Sequence, residues 1–314
     1  MSRKPFFSIV MPCWNAEAHL DATIRSVRKQ TFGSWELIAV DDGSTDTTRE
    51  RLARWRERDL RIKIFALDRS GPSAARNFGA LWKARGEVIA FLDADDLWTP
   101  HRLEKLHRVM SGDGAWDAVY NRVAFFRNSR ERIDTRSSVK TGPLTIRDLI
   151  AENPVCTMSN IAIRSDKFWR TGGFDPTLVH NEDVEWMIRM VAAGVRIKGL
   201  GDTLTYYRAS PMGLSQNLRA MQRGWAAAAK TAKALDPTLT KGALRRAEAI
   251  HLRYLARRAL RTGAPDGTAL GFALDALRAS PMGFFNVPRR GLMTLFGAVL
   301  APILPRRLHP QLFG

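Results

Sequence analysis

Val88-Ile89-Ala90-Phe91-Leu92-Asp93-Ala94-Asp95-Asp96-Leu97-Trp98-Thr99-Pro100 sets three carboxylates directly behind an unbroken apolar run. Five apolar residues after Gly86 predict a strand covered on both faces, as in a parallel sheet. Asp93, Asp95 and Asp96 at its carboxyl end repel one another unless a cation lies among them. Hard divalent cations take carboxylate oxygens together with substrate phosphates, so the stretch reads as a metal-diphosphate site. The plainer alternative is that Asp95 and Asp96 turn the chain and cap a helix beginning at Thr99.

Working outward, strand-like and helix-like stretches alternate. Phe6 to Met11, Trp35 to Val40, Ile62 to Ala66 and Val88 to Leu92 read as strands. Helices are predicted over Ala18 to Gln30, from Asp46 to about Arg58, over Ala74 to Ala84, and from Thr99 to Met110. This order predicts an α/β fold with a parallel, doubly wound sheet, whose ligands bind beyond the carboxyl ends of the strands. Pro12 to Asn15, Asp41 to Asp46 and Asp93 to Asp96 all fall at such ends. Gly71-Pro72-Ser73 opens a helix with Arg76 in its first turns, which puts free amides and a guanidinium where an anion fits. Neither the dinucleotide Gly-x-Gly-x-x-Gly nor the P-loop Gly-x4-Gly-Lys-[Ser/Thr] occurs, so phosphate handling falls to a metal.

Further along, Ala118 to Phe126 reads as a strand and Arg127 to Lys140 as a basic binding loop or lid. Thr157 to Arg164 is a strand, Ser165 to Arg170 a short helix, and Glu182 to Ala193 a helix whose first turn holds Glu182, Asp183 and Glu185. Acid at a helix start is also a plain dipole effect. A strand pair, Val195 to Lys198 and Leu204 to Tyr207, closes the region. Beyond it the chain reads as helical: Leu218 to Leu235, Leu239 to Leu260, Thr268 to Ala279 and Gly291 to Leu304.

The 314 residues carry 49 Lys and Arg against 31 Asp and Glu, a net charge of +18. That excess points to an anionic partner: nucleic acid, an anionic membrane or a phosphorylated substrate. Most of it lies late, with 16 basic against 4 acidic residues from Ser215 onward. Two cysteines, Cys13 and Cys156, make no disulfide framework and suit a reducing compartment. The N-terminus runs into a strand without the apolar region of a signal peptide, and no window reaches the roughly 18 apolar residues of a spanning helix. The expected location is cytoplasmic.

Over roughly Phe6 to Tyr207 the sequence resembles the family 2 glycosyltransferases, inverting enzymes of the GT-A fold. The resemblance rests on Ser8-Ile9-Val10-Met11-Pro12-Cys13-Trp14-Asn15, Val40-Asp41-Asp42-Gly43-Ser44-Thr45-Asp46, Ala75-Arg76-Asn77-Phe78-Gly79, Phe91-Leu92-Asp93-Ala94-Asp95-Asp96, and Gly172-Gly173-Phe174-Asp175 with Glu182-Asp183. It implies a Rossmann-like, mostly parallel sheet over residues 1–213, with a nucleotide-binding half to about 98 and an acceptor half from 99. Residues 214–314 form a helical, basic extension.

Pro12 and Asn15 would line the nucleotide pocket. Asp42 would bond the base, a uracil, thymine or guanine, with Asp41 in support and Arg76 near base or diphosphate. Asp93 and Asp95 resemble the family's Asp-x-Asp pair, Asp95 on Mn2+ or Mg2+ and Asp93 nearer the ribose or metal shell, with Asp96 as support. Asp183 matches the catalytic base, and Glu182, Trp186 and His180 are candidates for acceptor contact or support. The histidine that many relatives carry after a Tyr-Arg pair is absent, since Ala209-Ser210 follows Tyr207-Arg208.

The implied activity is transfer of a sugar from a nucleotide-sugar donor, a UDP-sugar, to a saccharide acceptor that is lipid-linked, in cell-surface polysaccharide synthesis. Alternatives are transfer to a polyprenyl monophosphate, or a non-catalytic nucleotide-sugar-binding module. Nucleic acid is disfavoured because the basic tail lacks interleaved aromatics for base stacking. Gly291 to Leu304, flanked by Arg289-Arg290 and Arg306-Arg307, would form about 21 Å of helix against a roughly 30 Å hydrocarbon core. It is expected to lie on an anionic membrane, at the cytosolic face of the inner membrane.

Overall fold

The computed structural model describes residues 4–112, 114–209, 216–265 and 267–302. Its contacts divide the chain into two units, Met1–Leu144 with Pro154–Ala209, and Thr145–Asn153 with Ser210–Gly314.

Among the described residues of the first unit, nine strands form one sheet in the order β3-β2-β1-β4-β8-β6-β9-β5, with β7 beside β6. β1 (Phe7–Cys13), β2 (Trp35–Asp42), β3 (Ile62–Leu67) and β4 (Val88–Phe91) are parallel, as expected from the alternation of strands and helices. Every residue of β2 and β4 is buried. Helix α1 (Leu20–Arg28) turns Leu20, Ile24 and Val27 inward at helical spacing, and α2 (Thr48–Arg58) does so with Leu52 and Trp55. Helix α3 (Pro72–Asn77) runs on as a wide π segment, Phe78–Lys83. It lies so close to the sheet that a Cβ on Gly79 would meet Val10 Cγ1 at 2.6 Å.

The second half of the sheet departs from an all-parallel order. β8 (Ile161–Arg164) runs antiparallel to both β4 and β6 (Ala118–Phe126). β9 is one continuous strand, Ile197–Arg208, parallel to β6, where the sequence reading had two strands. Shifts in register at Asn121/Arg122 and Arg122/Val123 absorb the Gly201-Asp202 stretch without breaking the strand. β5 (Leu97–Trp98) pairs antiparallel with β9, so helix α4 begins only at Arg102 (Arg102–Met110) and not at Thr99. Asp95 and Asp96 therefore do not cap it. The expected loop at Arg127 to Lys140 contains a strand, β7 (Ile133–Arg136), folded back on β6. The expected strand from Thr157 is a 3₁₀ turn, Met158–Asn160, leading into β8.

Helices α6 (Ser165–Arg170) and α7 (Glu182–Ala192) cover the sheet near β4. Trp186 is fully buried there, with its ring 5.9 Å from Phe91, 5.4 Å from Phe168 and 4.7 Å from Phe174.

The second unit is helical. α5 (Ile146–Ala151), within the range expected for the catalytic domain, groups with this helical unit. Its start is a capping box in which Thr145 and Asp148 exchange side-chain bonds, a Thr-x-x-Asp signal legible in the sequence. α8 (Leu218–Leu235), α9 (Lys241–Thr262), α10 (Thr268–Ala279), the short α11 (Pro281–Phe284) and α12 (Pro288–Leu300) complete it around a core that includes Leu252, Leu255, Phe272 and Phe284. Residues 303–314, with Leu304, Arg306 and Arg307, lie outside the described residues.

Candidate active site

Three loops meet at the carboxyl ends of β1, β2 and β4. After β1, Asn15 takes a left-handed conformation (φ +46°), and its Oδ1 accepts bonds from Thr45 N at 2.9 Å and Thr45 Oγ1 at 3.3 Å. Ser44 Oγ accepts from Asn15 N at 3.0 Å. The first two polar clusters thus form one surface, with Pro12 at its base in register with Val40.

Asp41 and Asp42 are both buried. Asp42 accepts backbone amides from Ser70 (2.7 Å) and Gly71 (2.8 Å), tying the loop before α3 to β2. Each of its oxygens keeps a lone pair for a ligand donor. Asp41 Oδ2 accepts from Arg49 Nε and from Ser44 N at 3.4 Å, while its Oδ1 is buried without a partner among the described residues. Beside this surface Trp14 is half exposed, and the Arg69 guanidinium lies over its ring at 3.4 Å. The sequence reading passed over this pair. An aromatic residue within a turn at a strand's carboxyl end was the available signal.

At β4 the three aspartates have different surroundings. Asp96 is fully buried, accepting from Arg208 N at 2.8 Å and Thr157 Oγ1 at 3.3 Å, and burial with the neighbouring acids raises its pKa well above the ordinary range. It joins β4 to β9 and to the turn before β8. Asp93 N donates to Ser159 Oγ at 2.9 Å, and Asp93 Oδ2 accepts from Thr157 Oγ1 at 3.4 Å. Thr157 and Ser159 therefore steady the acid run, a role their sequence context did not announce. Arg208 Nε donates to the Asp95 carbonyl at 3.0 Å, so a cation stands beside the acid run.

The Asp95 carboxylate has no hydrogen-bond partner among the described residues other than its own amide, and burial beside Asp93 pushes its pKa up to about 6. No group of three His, Cys, Asp or Glu arranged for a metal occurs among the described residues. Two carboxylates with no third protein ligand still fit Mg2+ or Mn2+, which commonly complete their shell with substrate phosphate and water. Below pH about 6 Asp95 holds a proton that a cation must displace. The increase in melting temperature caused by Mn2+ is therefore expected to shrink as pH falls from 7 to 5. A shift independent of pH over that range would place the cation elsewhere.

Arg76 connects the acid run to a remote segment. Its side chain is buried, with Nη2 donating to Asp93 Oδ1 at 2.7 Å and Nη1 to Glu182 Oε1 at 3.1 Å. It is neither a surface arginine nor a free phosphate ligand in this state. One guanidinium thus brings the end of β4 and the start of α7 together, 89 residues apart in sequence. Three carboxylates, Asp93, Glu182 and Asp183, surround that single charge. Burial and the Asp183 charge accordingly push Glu182 up to about 7 in spite of Arg76, whereas Arg76 is raised further and stays charged.

Asn181 precedes this pair at φ +57°, and His180 is half-buried beside it. Trp186 donates Nε1 to Thr171 Oγ1 at 3.1 Å from within the core, so it braces α7 and does not face an acceptor. Among the described residues, the non-glycine residues with positive φ are Asn15, Cys156 and Asn181. Each adjoins one of the segments above, as backbone strain tends to do at functional sites.

Comparison with known proteins agrees with this geometry. The sequence profile of Glycosyl transferase family 2 matches residues 8–172. The chain is 32% identical over 223 residues to the Escherichia coli UDP-Glc:alpha-D-GlcNAc-diphosphoundecaprenol beta-1,3-glucosyltransferase WfgD, covering 69% of this chain and 83% of that protein. It is 28% identical over 230 residues to the Bacillus subtilis putative teichuronic acid biosynthesis glycosyltransferase TuaG, covering 73% and 86%. Among solved structures, the mannosyltransferase PcManGT of Pyrobaculum calidifontis, in complex with GDP-Man and Mn2+, superposes with a TM-score of 0.59 at 20% identity, covering 99% of this chain and 85% of that one. S. aureus TarS 1-349 in complex with UDP does so at 0.56 and 18%, covering 92% and 90%. These likenesses extend the GT-A fold to this sheet, and the profile match with the WfgD identity settles the family: the chain is a glycosyltransferase belonging to glycosyltransferase family 2.

Proposed function

We propose that the protein transfers a sugar from a UDP-sugar to a hydroxyl of a lipid-linked saccharide, with inversion, in the synthesis of a cell-surface polysaccharide. The observation that carries this reading is the Arg76 bridge, which sets the Asp93–Asp95 run and the Glu182-Asp183 helix start on either side of one guanidinium. Donor diphosphate and acceptor hydroxyl then meet between them. Asp42 accepts the base N–H, Asp41 supports it, and Pro12 and Asn15 line the pocket. Asp93 and Asp95 hold the metal and the ribose side of the donor, and a divalent cation bound there supplies charge stabilisation for the departing diphosphate.

Asp183 takes the proton from the acceptor hydroxyl as that oxygen attacks the anomeric carbon. The bond from that carbon to the diphosphate oxygen breaks in the same displacement, so the anomeric centre inverts. Glu182 Oε1 is occupied by Arg76 Nη1 at 3.1 Å, which suits it to support, with Asp183 beside it as the base. The WfgD relative, named for a diphosphoundecaprenol-linked acceptor, supports a lipid-linked acceptor and with it a site of action at the cytosolic face of the inner membrane.

A thermal-shift panel of UDP, GDP, dTDP and CDP, each with and without Mn2+, on wild type and Asp95→Ala, tests the donor site. A nucleotide at 100 times its Kd stabilises by about 2.7 kcal/mol. The expected result is a shift with UDP that needs both Mn2+ and Asp95. A larger shift with GDP would replace the uracil assignment, and no shift with any of the four would remove the donor pocket.

A further inference from the structure

Helix α12 is packed the opposite way to an ordinary surface helix. Its buried side is small, with Gly291, Thr294, Gly297 and Ala298 turned inward. A Cβ on Gly291 would meet Phe285 Cδ1 at 2.6 Å, so the close approach depends on glycine there. Its large apolar residues face out: Leu292 is 60% exposed, Met293 61%, Phe296 63% and Val299 50%. At 100° per residue these four fall within one stripe, and Arg289, also exposed, lies on the same face one turn before Met293. Met282, 71% exposed, adds to the apolar surface of the same unit.

Basic side chains outnumber acidic ones near this helix. Arg253, Arg257 and Arg261 follow one another at four-residue spacing along α9, and Arg290 of α12 joins their field. Burial and these neighbours lower Arg257 to about 10, and Glu152, paired with Arg290 at 3.4 Å, is the carboxylate that opposes them. Arg253 is taken up inside, donating to the Phe284 carbonyl and to Asn286 Oδ1 at 2.6 Å each. Arg257 makes no hydrogen bond or ion pair among the described residues.

We propose that this face of the helical unit docks on an anionic lipid bilayer, with Leu292, Met293, Phe296 and Val299 entering the headgroup–acyl boundary and Arg257, Arg261 and Arg289 meeting lipid phosphates. Charge complementarity selects this occupant. A second copy would bring an equally basic face against the first, and one helical stripe is narrow beside the roughly 800 Å² per partner of a stable protein interface. A nucleic acid would leave the apolar stripe in water. The helix lies in the membrane plane, because no described helix is long and apolar enough to cross. The docking adds a membrane contact to the proposed reaction and does not depend on it.

The test is co-sedimentation of the full chain with phosphatidylcholine vesicles and with vesicles half phosphatidylglycerol, without nucleotide or sugar. Wild type is expected to bind the anionic vesicles at least about tenfold more tightly, with salt weakening the difference. Leu292→Ser with Phe296→Ser should lower that affinity about tenfold or more at any salt. Arg261→Gln with Arg289→Gln should lower it and flatten the salt dependence.

Unchanged melting temperature and an unchanged response in the UDP and Mn2+ panel control for folding. Equal binding to both vesicle types, or wild-type binding by the serine variant, overturns the proposal. So does a wild-type dimer in sedimentation velocity that the serine variant abolishes, which would assign the stripe to a second copy. A failed nucleotide panel with vesicle binding intact would remove the proposed reaction and leave the docking standing.

Discussion

Asp183→Asn is expected to lower kcat by about 10³- to 10⁴-fold, the upper range for removing a general base, while the Mn2+-dependent nucleotide shift stays as in wild type. The amide keeps the size and the place in the first turn of α7 and cannot take the acceptor's proton. The nucleotide and metal contacts proposed above involve the Asp93 side of Arg76 and not the α7 side, so donor binding has no reason to change. Glu182→Gln is the control. It removes a carboxylate from the same turn but leaves Nη1 of Arg76 an amide oxygen to bond, and its loss is expected to stay within about tenfold. Equal losses at the two positions, or a larger one at Glu182, would move the base to Glu182 and overturn the assignment.

Arg76→Ala is expected to destabilise the fold by about 3 kcal/mol near pH 7.5, measured by denaturant titration, because it strands two partly buried carboxylates without their cation. The pH dependence gives the test its sign. In wild type Glu182 is raised from an ordinary 4.5 to about 7, so the folded state binds more protons than the unfolded chain between those values. That group's contribution is most favourable below pH 4.5 and is lost as pH rises through 7. Without Arg76 the carboxyl is raised further, so the loss extends to higher pH. The gap between variant and wild type is therefore expected to narrow from pH 7.5 to pH 5. A destabilisation under about 1 kcal/mol, or a gap that widens on acidification, would show that Arg76 does not hold the acids together.

The strands and helices that bury one face were legible because burial writes a period into the chain. β6, α6, α8 and α10 begin and end where the pattern predicts. The errors fall where local pattern and tertiary pairing disagree. β9 crosses Gly201-Asp202 because β6 beside it supplies hydrogen bonds through two register shifts, a partner that residues 195–208 cannot announce. β7 is short and polar, and it exists because β6 offers an edge.

At the site, the sequence by itself determined which acids gather at strand ends, since an apolar run followed by Asp93, Asp95 and Asp96 is costly unless those charges have a use. Tertiary structure alone decided how they differ: Asp96 turned inward onto Arg208 and Thr157, the Asp95 carboxylate without a side-chain partner among the described residues, Asp93 bound to Arg76. It also joined Arg76 to Glu182 and turned the large residues of α12 outward. Composition and period are local properties of the chain, whereas the environment of a charge is set by groups that only folding brings within a few ångströms of it.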